Sequence, residues 1–246
     1  MSAPLKGVVL AGGTGSRLYP LTKVTNKHLL PVGRYPMIYH PLHRLREAGI
    51  KQIGVVTSPE HMGDVVTLLG SGHRWGLDLT YRVQDQPGGI AQALGLCENF
   101  AGRSPIVVIL GDNIFSDHLR DEVAAYRKQG HGARILLKEV SDPAQYGVPR
   151  FDGNTIIEII EKPAVPPSSY AVTGIYFYDH QVFDHIRALQ PSARGEYEVS
   201  DVNTAYVRSG QLSHGVLKGW WGDAGTQEGW HRANKQARDL VYEGAS

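Results

Sequence analysis

Cysteine is nearly absent. Cys97 is the only one in 246 residues, which excludes a disulfide framework and any cysteine-based zinc cluster and suits a reducing, cytoplasmic setting. Net charge is nearly absent as well: 25 Lys and Arg against 24 Asp and Glu leave +1. A protein that held nucleic acid or an anionic membrane through its bulk field would be far more basic. Neither is an expected partner, and any affinity for phosphate has to be local. No apolar run approaches the ~18–20 residues of a membrane span, and residues 1–6 lack the basic-then-apolar order of a signal peptide. There are 11 histidines but no His-Glu-x-x-His run, and no Gly-x-Ser-x-Gly elbow. Neither a zincin nor a serine hydrolase has support.

What is present is a chain able to build a core, with 41% hydrophobic and 20% charged residues. Its length fits one large domain or two small ones, at ~100–200 residues each. The first half alternates short apolar runs with helical spacing. Strands are expected at Gly7–Leu10, Ile53–Val56, Leu79–Val83 and Pro105–Leu110. Helices are expected over Pro36–Ala48, after Ser58-Pro59, over Ile90–Phe100 and over Asp117–Gln129, with Gly49 and Gly130 as stops. Continuous apolar strands separated by helices indicate a parallel sheet covered on both faces. The second half reads differently. Arg134–Val140, Val148–Phe151, Ile156–Glu161 and Ala171–Tyr178 are strand-like with little helix between them, so mixed or antiparallel pairing is expected there. Short helices follow near Gln181–Leu189 and Val202–Arg208, and a last one over about Gln227–Tyr242 with Thr226 as N-cap. No linker divides the chain. The expectation is one α/β domain: residues 1–130 as one half, 131–225 as the other with an inserted or appended β region, and 226–246 as a terminal helix.

The strongest local signal is Leu10-Ala11-Gly12-Gly13-Thr14-Gly15-Ser16-Arg17-Leu18, directly after the first strand. A glycine turn there lets backbone N–H groups approach an anion closely. A dinucleotide fingerprint counted from Gly13 would need Gly or Ala at Leu18 and an acidic residue ~20 positions on, and has neither. A P-loop would need Gly-Lys-Ser/Thr, which is missing. The turn ends instead in Arg17, with Lys27 soon after. A fork-shaped and a point cation beside a phosphate-sized nest suit a polyphosphate. Asp112 follows the most apolar strand, at the edge where open α/β sheets bind ligands. Gln84 is a neutral amide that can donate and accept at once, which suits the imide edge of thymine or uracil.

These blocks resemble the sugar-1-phosphate nucleotidylyltransferases. The resemblance runs through LAGGTGSRLYP from Leu10, Asn26-Lys27-His28-Leu29-Leu30-Pro31, Gln84 with Gly88-Gly89-Ile90-Ala91-Gln92-Ala93, and Leu110-Gly111-Asp112-Asn113. It continues through Tyr146-Gly147-Val148, Glu161-Lys162-Pro163, Tyr170-Ala171-Val172-Thr173-Gly174, Ser192-Ala193-Arg194-Gly195-Glu196 and Trp221-Gly222-Asp223. It covers nearly the whole chain in order and is nearest to the shorter members that make dTDP-glucose. The resemblance implies a Rossmann-like three-layer fold with a mostly parallel sheet and a mixed β sugar-binding portion. It implies Mg²⁺ as cofactor, dTTP and glucose 1-phosphate as substrates, and a homodimer or homotetramer that feeds deoxysugar pathways such as rhamnose supply. By the same resemblance Arg17, Lys27 and Lys162 would be catalytic. Leu10 to Gly15, Gln84, Gly89 and Asp112 would bind nucleotide. Asn113, Tyr146, Gly147, Glu161, Lys162, Val172 and Tyr176 would bind the sugar phosphate, and Asp112 with Asp223 would hold the metal. His28 stands where many members carry glutamine. Three alternatives stay open: the same chemistry on UTP or another sugar phosphate, a silent regulatory subunit, and the dinucleotide enzyme that Leu18 disfavours.

Overall fold

The computed structural model describes residues 3–242. In chain order the elements are β1 Lys6–Ala11, β2 Pro31–Val32, β3 Tyr35–Pro36, α1 Tyr39–Glu47, β4 Gln52–Thr57, α2 Met62–Leu69, β5 Asp78–Val83, α3 Ile90–Gly95, α4 Glu98–Ala101, β6 Ile106–Leu110, β7 Asn113–Phe115 and α5 Arg120–Gln129. Then come β8 Ala133–Glu139, β9 Gly147–Asp152, β10 Thr155–Glu161, β11 Tyr170–Tyr178, α6 Val182–Ala188, α7 Val199–Arg208, β12 Leu212–Val216, β13 Trp221–Asp223 and α8 Gln227–Ala237.

Seven strands form the central sheet in the order β12-β8-β11-β6-β1-β4-β5. The β6-β1-β4-β5 pairs and the β12-β8 pair are parallel, whereas β11 runs antiparallel to both its neighbours. The β-branched runs of β1, β4 and β6 supply side chains to both faces, as strands covered on two sides require. Val9, Ile53 and Ile109 pack under α1, α2 and α5; Val8, Val56 and Val108 pack under α3, α6 and α7. Ile156 and Ile159 of the β9–β10 hairpin join that second layer. A small third cluster beneath α8 joins Met37, Ile114 and Ala224 to Ala233 and Ala237. No helix among the described residues is long and apolar enough to cross a membrane.

The four strand-like runs of the second half divide in the fold. β8 and β11 complete the central sheet, and only β9 and β10 stand apart as a hairpin. The boundary near residue 130 therefore crosses one continuous sheet. The helix expected over Ile90–Phe100 is broken: Cys97 leaves helical geometry between α3 and α4, where Gly95 packs tightly on Ile186 of α6. α5 starts at Arg120 and α7 at Val199. Thr226 caps α8, accepting from the Gly229 N–H, but α8 stops at Ala237. The segment beyond it is tied to the N-terminal half, with Tyr242 N–H donating to Tyr35 Oη (3.1 Å) and the Tyr242 hydroxyl paired with His40 Nδ1 (2.6 Å). Residues 243–246 of the expected terminal helix lie outside the described residues.

The strand directions matter most for function. β1, β4, β5 and β6 are parallel neighbours, so the residues after them, Gly12, Ser58, Gln84 and Gly111, all emerge at one edge. β1 lies between β4 and β6, the point where connections leave in opposite directions and open α/β sheets bind ligands. β8 and β12 end at the same edge, and antiparallel β11 begins there with Tyr170–Val172.

Candidate active site

The turn after β1 is held open by local geometry. Gly13 and Gly15 adopt φ of 90° and 64°, a region glycine enters without a steric cost. A Cβ on Gly13 would meet nothing within 4 Å, so its outer face is free. Thr22 Oγ1 donates to the Gly15 carbonyl (2.7 Å) and fully buried Leu18 anchors the following 3₁₀ turn. Leu18 is thus a core residue, and Arg17 beside it projects exposed. Asn26 caps a second 3₁₀ turn, Lys27–Leu29, accepting from the His28 N–H, while its amide reaches the Ala11 carbonyl at the end of β1. Burial first, and the Lys27 charge second, lower His28 to about 3, so it stays neutral.

Three functional groups expected from distant parts of the sequence meet at Gly225. A Cβ there would lie 2.9 Å from Asp223 Oδ1, 3.0 Å from Asp112 Oδ2 and 3.1 Å from Arg17 Nη2. β7 and β13 make this possible by pairing antiparallel, Asn113 opposite Asp223, and the Ala224 N–H donates to the Asp112 carbonyl (2.9 Å). Lys27 Nζ sits 2.6 Å from Asp112 Oδ2. Burial pushes Asp112 up, but the Lys27 ammonium and the Asn113 amide outweigh it and hold its carboxyl far below the usual range. Asp223 goes the other way: poor hydration, then the Asp112 charge, raise it against the pull of the Gly225 N–H. Two carboxylates are pressed together in a crevice whose fill is a glycine, with one partnered by an ammonium and the other by a backbone N–H. That donor set fits a hard divalent cation, which takes a few carboxylate oxygens alongside phosphate and water. No cluster of three or more His, Cys, Asp or Glu side chains suited to a metal occurs among the described residues.

Across the crevice the β9–β10 hairpin presents its open end, Gly147 opposite Glu161. A Cβ on Gly147 would lie 3.4 Å from Glu161 Oε2 and 3.7 Å from Val172 Cβ, so these three sugar-side candidates are neighbours. Lys162 has φ 45°, the only positive value outside glycine among the described residues. Its N–H donates to the Tyr146 carbonyl (3.0 Å). Non-glycine residues held in this region by their surroundings cluster at functional sites. Reduced hydration raises Glu161 against the pull of Lys162, and Arg194 also lowers it. Tyr146 meets Trp221 edge-on at 5.2 Å. Tyr176 is buried in the layer below, and the charges of Glu161, Asp112 and Asp223 all bear on its hydroxyl.

An open pocket of about 220 Å³ continues from the glycine turn to Gln84, with Ser58, Glu60, His61 and Asp85 on its walls. It does not extend to the Glu161 side.

Several contacts add to the sequence reading. Lys27 is engaged with Asp112 instead of standing free for phosphate. Asn113 is committed to the protein: its Oδ1 accepts from Gly174 N–H (2.9 Å) and Trp221 Nε1 (2.8 Å), and its amide donates to Asp112 (3.2 Å). These contacts tie it to Asp112, β11 and β13. Gly89 has φ 99°, and a Cβ there would collide with the Tyr197 backbone, 2.6 Å from its carbonyl oxygen. Sequence reasoning passed over Gly225, took Ser58-Pro59 only as a helix start, and quoted Gln92 without a role of its own. It quoted Arg194 without a role; Arg194 is held by Glu198 (2.9 Å) near Glu161. Only the basic residue inside a glycine-serine turn could have drawn attention to it.

A glycine-lined anion nest, three cations and two converging carboxylates at a switch point describe an enzyme that brings phosphate-bearing substrates together. The chain belongs to the nucleotidyl transferase family, whose model matches residues 6–239. A glucose-1-phosphate thymidylyltransferase of Xanthomonas campestris pv. campestris is 45% identical over 232 residues, 93% of this chain and 79% of that protein. A crystal structure from Bacillus anthracis, described as a glucose-1-phosphate thymidylyltransferase in complex with sucrose, is 57% identical. Its TM-score is 0.95, over 98% of this chain and 99% of that one. An apo UDP-glucose pyrophosphorylase shares the fold at 23% identity, TM-score 0.85, over 95% of this chain and 98% of that one.

Proposed function

We propose that the chain transfers a thymidylyl group from dTTP to α-D-glucose 1-phosphate, giving dTDP-glucose and pyrophosphate, with Mg²⁺ as cofactor. The observation that carries the chemistry is the meeting of Arg17, Asp112 and Asp223 around Gly225; the base and sugar are those in the names of the relatives. A phosphate oxygen of the sugar attacks the α-phosphorus. The new oxygen–phosphorus bond forms as the bond to the β-phosphate breaks, and pyrophosphate leaves with the electron pair. The attacking oxygen is ionised at neutral pH, so no general base is needed. Two polyanions must meet, so neutralisation and alignment are most of the catalysis.

Arg17 and the N–H groups of the Gly12–Gly15 turn would hold the triphosphate. Lys27 would leave Asp112 for the departing phosphates. Asp112 and Asp223 would hold Mg²⁺, which when bound supplies charge neutralisation at the α-phosphate. Lys162 would orient the sugar phosphate, Glu161 would accept from a sugar hydroxyl, and the backbones of Gly147 and Val172 with the Tyr176 hydroxyl would line the sugar. Gln84 would read the base.

The test is pyrophosphate release with Mg²⁺, each of dTTP, UTP, CTP, ATP and GTP, and several sugar 1-phosphates. The expected maximum is dTTP with glucose 1-phosphate, with UTP slower because one methyl group is worth only ~1–3 kcal/mol. Nucleotide hydrolysis without sugar, or equal kcat/KM for dTTP and GTP, would overturn this reading.

A further inference from the structure

The amide of Gln84 is not free to turn. Its Nε2 donates to the Gly89 carbonyl (3.2 Å) and to Gln92 Oε1 (2.6 Å). A backbone carbonyl can only accept, so the Gly89 contact identifies the nitrogen end. Both amide hydrogens are thereby engaged. Oε1 is left over Gly12, 2.6 Å from where a Cβ would stand, and Gln84 is one of the residues lining the open pocket. Among the described residues no donor satisfies it. Gln92 lies against Gly88: its Cδ, Cγ and Oε1 are 3.1–3.2 Å from where a Cβ on Gly88 would stand, so only glycine leaves it this room. Gly88 and Gly89 are in turn clamped by Tyr197, whose N–H donates to the Gly88 carbonyl (2.8 Å).

We infer that Gln92 is a specificity-determining positioning residue: it locks the Gln84 amide so that only a carbonyl oxygen faces the base. A locked acceptor selects a base edge bearing an N–H donor. The imide N3–H of thymine or uracil satisfies it, whereas N3 of cytosine is an acceptor and leaves two lone-pair atoms facing each other. Burying an acceptor against an acceptor loses the bond and leaves both groups unsatisfied. Discrimination between a thymine and a cytosine nucleotide therefore runs through a residue that touches neither. The inference rests on the proposed pyrimidine reading of this pocket and adds to it the device that sets polarity.

The experiment is calorimetric binding of dTTP and dCTP to the full chain without sugar, so that turnover is not needed, followed by kcat/KM for both with glucose 1-phosphate. Gln92→Leu removes the acceptor at similar volume; Gln92→Met is the second variant should the first fail to fold. One of the two locks is lost, worth about one hydrogen bond. The dTTP:dCTP affinity ratio should fall by ~10-fold, chiefly through tighter dCTP binding. Gln92→Glu keeps an acceptor for Gln84 Nε2 and should keep the wild-type ratio. A general structural defect would weaken both nucleotides together and leave the ratio alone. Wild type that binds dTTP and dCTP equally, or a ratio within twofold of wild type in Gln92→Leu and Gln92→Met, overturns the inference. The second result leaves the proposed reaction standing. A collapsed ratio with no sugar turnover would support the inference while removing the proposed reaction.

Discussion

Replacing Gly225 with alanine tests the centre of the site without touching a charged group. Gly225 is absent from the left-handed region, so alanine can adopt its backbone. The new methyl would stand 2.9 Å from Asp223 Oδ1, 3.0 Å from Asp112 Oδ2 and 3.1 Å from Arg17 Nη2. All three are side-chain ends, so the fold can adapt by moving them. Stability should drop by less than ~1 kcal/mol, a Tm change of no more than ~2–4 °C for a chain of this size. The site has no such freedom. The methyl fills the point on which the carboxylates and guanidinium converge and displaces at least one charge-assisted contact, each worth ~1.5–3 kcal/mol. That predicts a ~10–150-fold fall in kcat/KM and a higher Mg²⁺ requirement. Pyrophosphate release across a Mg²⁺ series, with thermal unfolding on the same preparations, measures both. A variant as stable as wild type with kcat/KM within twofold and the same Mg²⁺ requirement would refute the convergence as the working centre.

Arg17→Ala should lower kcat/KM by ~10²-fold or more by removing the guanidinium proposed to hold the triphosphate, read in the same release assay. Asp112→Asn and Asp223→Asn should each raise the Mg²⁺ requirement, with the double variant far from the product of the two because both act at one point; independent, multiplicative losses would count against a shared centre. Part of the acid sensitivity should come from His40, which burial lowers to about 4 while its ring nitrogens meet Val32 O (3.0 Å) and the Tyr242 hydroxyl (2.6 Å). The unfolded chain takes up this proton below its ordinary value of ~6.5 and the folded one only near 4. The contribution is therefore complete above ~6.5 and is lost as pH falls toward 4, up to ~3 kcal/mol. Urea midpoints at pH 7.5 and 4.5 measure it, and His40→Gln should reduce the difference without abolishing it, because buried His28 is lowered further, to about 3.

Strand and helix identity was legible where the cause is local. The β-branched runs of β1, β4 and β6, the stops at Gly49 and Gly130, and the Thr226 cap depend on a few adjacent residues and on backbone geometry. The glycine turn ending in Arg17 was legible for the same reason. So was its mismatch with a dinucleotide fingerprint, because Leu18 sits inside the motif. Long-range pairing was not. Nothing in the run Ala171–Tyr178 says that it inserts antiparallel between two parallel strands, since an apolar strand buried on both faces looks alike in either direction. Pairing of β7 with β13 is what brings Asp223 to Asp112 and gives Asn113 to Trp221 and Gly174. A glycine carries no side chain to say why it is there. Gly89 makes room for the chain's own Tyr197, and Gly225 makes room for three converging side chains. The polarity of Gln84 likewise belongs to the packed protein: an isolated glutamine both donates and accepts, and only its contacts with Gly89 and Gln92 leave one end for the ligand.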